Sequence, residues 1–262
     1  MSNMLGGQGY QLVNVPALVF SVAVVFSASL AGAQEPVDAA IYDRCLAKAE
    51  VDPETAYAEG LAWFEAGGGI PARHCVAVSL VGMRAYDEAA ARLEVLAGEV
   101  AADRFDLYLG LLAQAAQAWL LSGRAARAEA LQTEALAIAP NDPQLRVDRA
   151  VTRLTLGRQW DAIDDLDVAI DLDPKDPETR LYRASAYRYL DVLDLAADDV
   201  AYALDLDPSR PEAWLEQGIL RSLAGDRTGA RSAWLQVLRL SSEGPAASAA
   251  RARLEAMDVR QN

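Results

Sequence analysis

The sequence predicts an all-α protein, built as an α-solenoid of stacked antiparallel helix pairs. Aromatic residues make up only 7% of the 262-residue chain and alanine is abundant, so local propensity favours helix over strand. Pro140, Pro174 and Pro208 lie 34 residues apart, a spacing that fits one pair of helices. One pair cannot bury its apolar face alone, and successive pairs therefore stack.

Small and turn-forming residues keep the same step along the chain. They form three ladders: Ala116, Ala150, Ala184 and Gly218; Ala128, Ala162, Ala196 and Ala230; and Gly123, Gly157, Asp191 and Gly225. Small side chains let the two helices of a pair approach closely, and glycine accepts the positive φ that ends a helix. Each unit is therefore predicted to be a helix, a tight turn and a second helix.

The N-terminal segment has the pattern of an export signal. Residues 1–33 contain no Asp, Glu, Lys or Arg, and the run from Val15 to Leu30 is apolar or small. Small residues end this run, which predicts a signal peptide cleaved between Ala33 and Gln34. An uncleaved N-terminal anchor is the alternative, because the apolar run reaches the lower limit for spanning a bilayer. We expect an exported protein in the periplasm of a Gram-negative bacterium, or one anchored in the inner membrane.

Two cysteines follow the leader. Cys45 and Cys75 are 30 positions apart, and an even number of cysteines in an exported chain predicts a disulfide. A metal site that includes His74 is a second possibility, although adjacent His and Cys rarely bind one ion and a fourth ligand is missing. Two buried free thiols are the third.

The remaining chain divides into a cap, five repeat units and a final helix. Residues 34–69 are predicted to form an N-terminal helical hairpin closed by a run of glycines, and residues 245–262 a C-terminal capping helix and tail. A divergent unit spans 70–103 and precedes a short insertion. The regular units are 109–142, 143–176, 177–210 and 211–244.

These units resemble the tetratricopeptide repeat (TPR) family. The resemblance lies in the motifs Ala-Leu-Ala-Ile-Ala-Pro, Ala-Ile-Asp-Leu-Asp-Pro and Ala-Leu-Asp-Leu-Asp-Pro, which end at Pro140, Pro174 and Pro208. Trp214 and Gly218 match the family's tryptophan and small-residue positions. The chain departs from the pattern at Asp191, where glycine is usual, and no proline closes the last unit. The resemblance implies a right-handed superhelix that binds a protein or peptide.

In the family, ligands usually lie along the concave side formed by the first helix of each unit. Carried over to this sequence, most of the positions that line such a groove are apolar, which favours an apolar peptide. Alternatively, the superhelix closes and the same side chains form core. The residues expected to bind a partner are Gln117, Leu121, Gln144, Val147, Val151, Leu154, Glu178, Leu181, Ser185, Arg188, Tyr189, Glu212, Leu215 and Ile219.

Comparison of the units pairs two arginines with two aspartates. Arg149 and Asp165 occupy the seventh and twenty-third places of one unit, and Arg183 and Asp199 occupy the same places in the next. The units on either side carry neither charge at these places. Charges that appear and vanish together predict structural ion pairs across each helix pair. An arginine ladder that binds an anion is the alternative.

Composition limits the function. The chain has 24 Lys and Arg against 38 Asp and Glu, a net charge of −14, which makes nucleic acid an implausible partner. It has one histidine, no nucleophile elbow and no phosphate-binding glycine loop. We therefore expect a non-catalytic protein–protein interaction scaffold in the cell envelope, with no metal or cofactor. A small-ligand sensor and an enzyme subunit are the alternatives. A membrane contact is expected only through an uncleaved leader.

Overall fold

The computed structural model describes residues 35–100 and 103–259, which fold into thirteen α-helices. No β-strand occurs in these ranges, so the predicted all-α class is confirmed. The helices group into two compact units, which we call the N-terminal unit and the C-terminal unit.

The N-terminal unit ends at Asp207, and the C-terminal unit contains the described residues from Pro208 onward. Within each unit, helices that follow one another in the chain pack against each other. The N-terminal unit contains α1 (Glu35–Val51), α2 (Pro53–Glu65), α3 (Gly69–Gly82), α4 (Tyr86–Glu99), α5 (Phe105–Leu121), α6 (Ala125–Ile138), α7 (Pro143–Thr155), α8 (Gln159–Leu172), α9 (Pro177–Tyr189) and α10 (Leu193–Leu206). The C-terminal unit contains α11 (Pro211–Leu223), α12 (Arg227–Leu240) and α13 (Pro245–Val259).

The predicted leader, residues 1–33, lies outside the described residues. No helix of the described ranges is long and apolar enough to cross a membrane. Cleavage of the leader, export and membrane anchoring therefore remain predictions.

Helices α7 and α9 begin in the same way. The side chain of Asp142 accepts hydrogen bonds from two backbone N–H groups of the first turn of α7, and Asp176 does the same for α9. Pro143 and Pro177 follow directly, where a missing N–H leaves no hydrogen bond unmade. These caps fix where each first helix starts, and so which of its side chains face outward.

The turns inside the helix pairs use the left-handed backbone region. Gly123 and Gly157 have φ values of 81° and 73°. Asp191 adopts φ 60° at the equivalent place of the next pair. A non-glycine residue there costs about 1 kcal/mol, and aspartate is among the residues that tolerate it best. The missing glycine therefore leaves the turn geometry unchanged.

The alanine ladders lie in the core of the N-terminal unit. All their members in this unit are fully buried: Ala116, Ala128, Ala150, Ala162, Ala184 and Ala196. Close helix packing at these positions leaves no room for larger side chains. Larger apolar residues, among them Leu93, Leu96 and Leu111, fill the space between α3 and α7.

The C-terminal unit has its own core. Trp234 and Val237 on α12 pack with Leu254 and Met257 on α13. A Cβ atom added to Gly218 on α11 would lie 2.3 Å from Nε1 of Trp234, so only glycine permits this contact. The final helix thereby covers apolar surface that would otherwise face water.

Candidate binding face

The outward side of three first helices, α5, α7 and α9, carries eleven of the fourteen predicted groove residues. We call this surface of the N-terminal unit the first-helix face. Leu121 and Tyr189 are the most exposed apolar side chains among the eleven, at 43% and 47%. Gln144 is also exposed, and the remaining members except Val147 are half-buried. In the C-terminal unit, α11 carries the other three, and all are half-buried: Glu212, Leu215 and Ile219.

Val147 does not belong to this face. Its side chain is only 4% exposed and packs in the core with Ala150, Ala162 and Leu166. It therefore contacts the second helix of its own pair, α8, and cannot meet a partner. The prediction that Val147 lines the groove is corrected: it is a core residue.

Three half-buried apolar residues form the middle of the first-helix face. Val151 and Leu154 on α7 rest against the same core cluster and keep part of their surface in water. Leu181 on α9 is half-buried as well. These three residues therefore form a partly exposed apolar strip, whereas Val147 fits the alternative in which such positions are core.

A carboxylate that the sequence comparison did not single out lies beside this strip. Asp148 on α7 is half-buried, and Nε2 of Gln144 donates a hydrogen bond to its Oδ1 at 2.9 Å. Burial disfavours the charged form, and the carboxylates of Asp142 and Glu178 disfavour it further, so that the pKa of Asp148 rises to about 6. No Lys or Arg of the described residues forms an ion pair with Asp148.

The next first helix adds two groups to the same place. The hydroxyl of Tyr182 donates a hydrogen bond to Oε1 of Glu178 at 3.0 Å. Burial, followed by the nearby charges of Glu178 and Asp148, raises the pKa of Tyr182. We call Gln144, Asp148, Glu178 and Tyr182 the acidic notch. It joins α7 to α9 on the first-helix face.

Asp148→Asn is expected to stabilise the protein at neutral pH. Because the folded-state pKa is raised, the folded state holds the proton more tightly, and wild-type stability falls as pH rises from about 4 through about 6. The asparagine variant lacks this loss and should gain about 1–2 kcal/mol at pH 7.5, with no gain at pH 4. Urea unfolding of both proteins at both pH values measures the difference.

Asp164→Asn is the matched control, since Asp164 is exposed on α8. Its effect should be small and equal at the two pH values. An equal effect of Asp148→Asn at pH 4 and pH 7.5 would contradict the burial argument.

The C-terminal end of α9 carries a positive charge, opposite in sign to the acidic notch. Arg188 Nη2 donates a hydrogen bond to Oγ of Ser185 at 3.1 Å, and its guanidinium carbon lies 4.9 Å from the ring centroid of Tyr189. A cation over an aromatic ring is a favourable contact that also orients both groups. Along α9, the first-helix face therefore runs from acidic to basic.

The arginines of α7 point away from this face. Arg149 donates two hydrogen bonds to Asp165, at 2.7 and 2.8 Å, and this pair was predicted from the sequence. Arg146 and Arg153 also donate to Asp165, at 3.1 and 2.6 Å. Asp165 is 1% exposed, and three guanidiniums surround it. Because Asp165 itself binds all three guanidiniums, this cluster does not form the anion-binding arginine ladder that was the alternative.

The next pair repeats this arrangement with an addition. Arg183 donates two hydrogen bonds to Asp199, at 2.7 and 2.8 Å, as the unit comparison predicted. It also reaches Asp167 on α8 at 2.7 Å. Arg153 likewise contacts Glu129 on α6 at 2.9 Å besides Asp165. Each of these arginines on a first helix therefore ties the second helix of its own pair to that of the preceding pair.

The N-terminal cap is held by a disulfide and a buried histidine. Cys45 on α1 is bonded to Cys75 on α3, with Cα atoms 6.0 Å apart, so neither sulfur is available as a metal ligand. His74 Nε2 lies 2.7 Å from Oε1 of Gln114, which can only accept a hydrogen bond. Its Nδ1 lies 2.7 Å from the Tyr42 hydroxyl and in the neutral ring accepts from it. Burial lowers the pKa of His74, outweighing the opposite effect of Gln114.

Comparison with known proteins finds likeness in fold but not in sequence. Neither a protein-family model nor a curated protein matches the chain. Among solved structures, the TPR protein TTC0263 of Thermus thermophilus is 19% identical, with a TM-score of 0.59 over 73% of this chain and 100% of that one.

Two further solved structures have the same architecture. MamA of Desulfovibrio magneticus RS-1, from residue 41 to its end, is 18% identical, with a TM-score of 0.53 over 74% of this chain and 97% of that one. YrrB, described as a TPR protein with an unusual peptide-binding site, is 16% identical, with a TM-score of 0.51 over 76% of this chain and 98% of that one.

Proposed function

Since the chain has the α-solenoid fold of TPR proteins, we propose that it is a non-catalytic scaffold that binds a peptide segment of a partner protein on its first-helix face. The observation that carries this proposal is the strip of half-buried apolar residues, Val151, Leu154 and Leu181, with charged groups around it. Apolar contacts would supply affinity, and the charged groups would fix the direction of the bound segment.

The surroundings of the strip support a peptide in preference to a small molecule. The face extends over three helices, and all its members except Val147 keep part of their surface in water, whereas small-ligand sites are usually deep and enclosed. Its acidic notch and the Arg188–Tyr189 pair lie at different ends of α9, a spacing that suits an extended or helical segment. YrrB, with a similar fold, is a peptide-binding TPR protein, which agrees with this proposal.

We place this activity in the cell envelope, most simply in the periplasm. The apolar leader with its small-residue end supports export. The disulfide between Cys45 and Cys75 suits an oxidising compartment. The only histidine of the chain is buried with hydrogen bonds at both ring nitrogens, which supports a structural role for it and a protein without catalysis.

Leu181→Glu is expected to abolish partner capture, because it places a charge in the middle of the apolar strip. Tagged wild-type and variant proteins would be used to capture partners from the envelope fraction, with bound proteins quantified by mass spectrometry. A partner held by wild type should be at least about tenfold depleted with Leu181→Glu.

Leu172→Glu provides the control. Leu172 is 40% exposed on the outer side of α8, so the same substitution there leaves the first-helix face intact. This variant should capture the partner like wild type, and circular dichroism should show all three proteins folded. Equal capture by Leu181→Glu and wild type would rule out binding on this face.

A further inference from the structure

Within the acidic notch, Asp148 has a negative charge and no ion-pair partner among the described residues. Every arginine of α7 that lies in an ion pair is directed to Asp165 or Glu129, on the side away from Asp148. On α9, Arg180 and Arg183 pair with Asp199 on α10. These arginines therefore pair with other carboxylates, and none of them neutralises the partly desolvated carboxylate of Asp148.

A half-buried carboxylate without a counter-ion is unfavourable in the free protein. The raised pKa of Asp148 expresses this cost, and its first cause is burial, with Asp142 and Glu178 adding to it. A cation brought by a partner would relieve the repulsion and would gain charge-assisted hydrogen bonds. Asp148 is therefore matched in charge to a basic group from outside the chain.

Apolar residues next to the notch suit the stem of a basic side chain. Val151 follows Asp148 by three residues on α7, and Leu181 follows Glu178 by three on α9, so each apolar residue lies one helical turn from a carboxylate. Lys and Arg lay their methylene stems on such apolar surface while the charged end meets a carboxylate. No cluster that could hold a metal ion occurs among the described residues, which favours an organic cation.

We propose that the partner segment carries a lysine or arginine whose charged end lies in the acidic notch, against Asp148, and whose apolar neighbours cover Val151 and Leu181. This inference rests on the proposed function, since it assigns the chemistry of the peptide that the first-helix face binds. It predicts a basic and apolar ligand for a protein that is itself strongly acidic, with a net charge of −14.

A displayed library of random peptides, selected on the immobilised full-length protein at about pH 8, tests this directly, because Asp148 is ionised there. Selected peptides should be enriched in a Lys or Arg flanked by apolar residues. For a selected peptide, replacing that basic residue by methionine should weaken binding about tenfold in fluorescence anisotropy, and so should Asp148→Asn in the protein.

The two changes together identify the contact. If the basic residue meets Asp148, combining the peptide change with Asp148→Asn should weaken binding no more than either change alone. Asp164→Asn, on the outer side of α8, should leave binding within about twofold of wild type. Asp148→Asn is expected to fold well, because it removes a charge that is unfavourable in the folded state.

The possible failures are distinguishable. Selected peptides that lose binding with Leu181→Glu but carry no basic residue would overturn this inference and leave the proposed function standing. The same holds if the effects of the peptide change and Asp148→Asn simply add. If no selected peptide is sensitive to Leu181→Glu, the proposed function fails, and this inference fails with it.

Discussion

Asp165→Asn is expected to lower the free energy of unfolding by about 3 kcal/mol. Asp165 lies 1% exposed between α7 and α8, where it accepts hydrogen bonds from Arg146, Arg149 and Arg153. Asparagine has nearly the same shape but no charge, so three guanidiniums would keep their desolvation cost without their shared anion. Breaking a buried pair from one side is therefore far more costly than losing a surface pair.

Urea unfolding followed by circular dichroism measures this effect, and the neighbouring residue supplies the control. Asp164 is exposed, so Asp164→Asn should change stability by less than about 0.5 kcal/mol. Similar small effects at both positions would mean that the arginine cluster contributes little beyond a solvated surface network.

Replacing both Cys45 and Cys75 by alanine should cost roughly 3 to 4 kcal/mol of stability. The disulfide links positions 30 residues apart, and its removal restores the conformational freedom of this loop to the unfolded chain. It also frees α1 from the covalent link to α3, leaving hydrogen bonds such as that between Tyr42 and His74 to hold the cap.

The matched comparison is wild type with and without reductant. Reduced wild type should unfold at a urea concentration close to that of the double variant, while the variant itself should not respond to reductant. A variant as stable as the oxidised protein would show that the bond adds nothing to the fold. Intact mass after alkylation without reductant reports whether the bond has formed.

The fold could be predicted from the sequence because close helix packing restricts residue types strongly. Positions such as Ala150 and Ala184 are completely buried, and a small residue there recurs with every pair. The turn at Asp191 was identified although glycine is missing, since the surrounding ladders fixed its place. Its φ of 60° shows that packing on both sides sets this turn and the local residue adapts to it.

The candidate binding face was less predictable. A template of positions taken from the family included Val147, whose side chain the structure places against α8, and omitted Asp148 one residue later. A signal for Asp148 was present: no cation lies three or four residues away on α7, so its charge has no helical partner. The Glu178 carboxylate, which raises the pKa of Asp148 further, lies on the neighbouring helix α9, and periodicity within one unit does not reveal this proximity.

Ion pairs were predicted as pairs and found as clusters. Covariation between units identified Arg149 with Asp165, because both charges recur in the next unit. Arg146 has a counterpart in Arg180, but Arg153 is replaced by Tyr187 at the equivalent place and gave no repeating pattern. Comparison of units detects contacts that recur in successive helix pairs. It does not detect contacts that occur at only one junction, that is, between one helix pair and the next.

Those distinguishing contacts limit how the array could lengthen during evolution. At one junction Arg153 meets Glu129, whereas the equivalent places at the next hold Tyr187 and Ile163. A tandem duplicate of residues 143–176 would bring an arginine opposite the buried side chain of Ile163, where it would keep its pairing with the duplicated Asp165 but lose the second carboxylate that Glu129 supplies. Simple duplication of this unit is therefore disfavoured, and a longer array would need both sides of the new junction to change together.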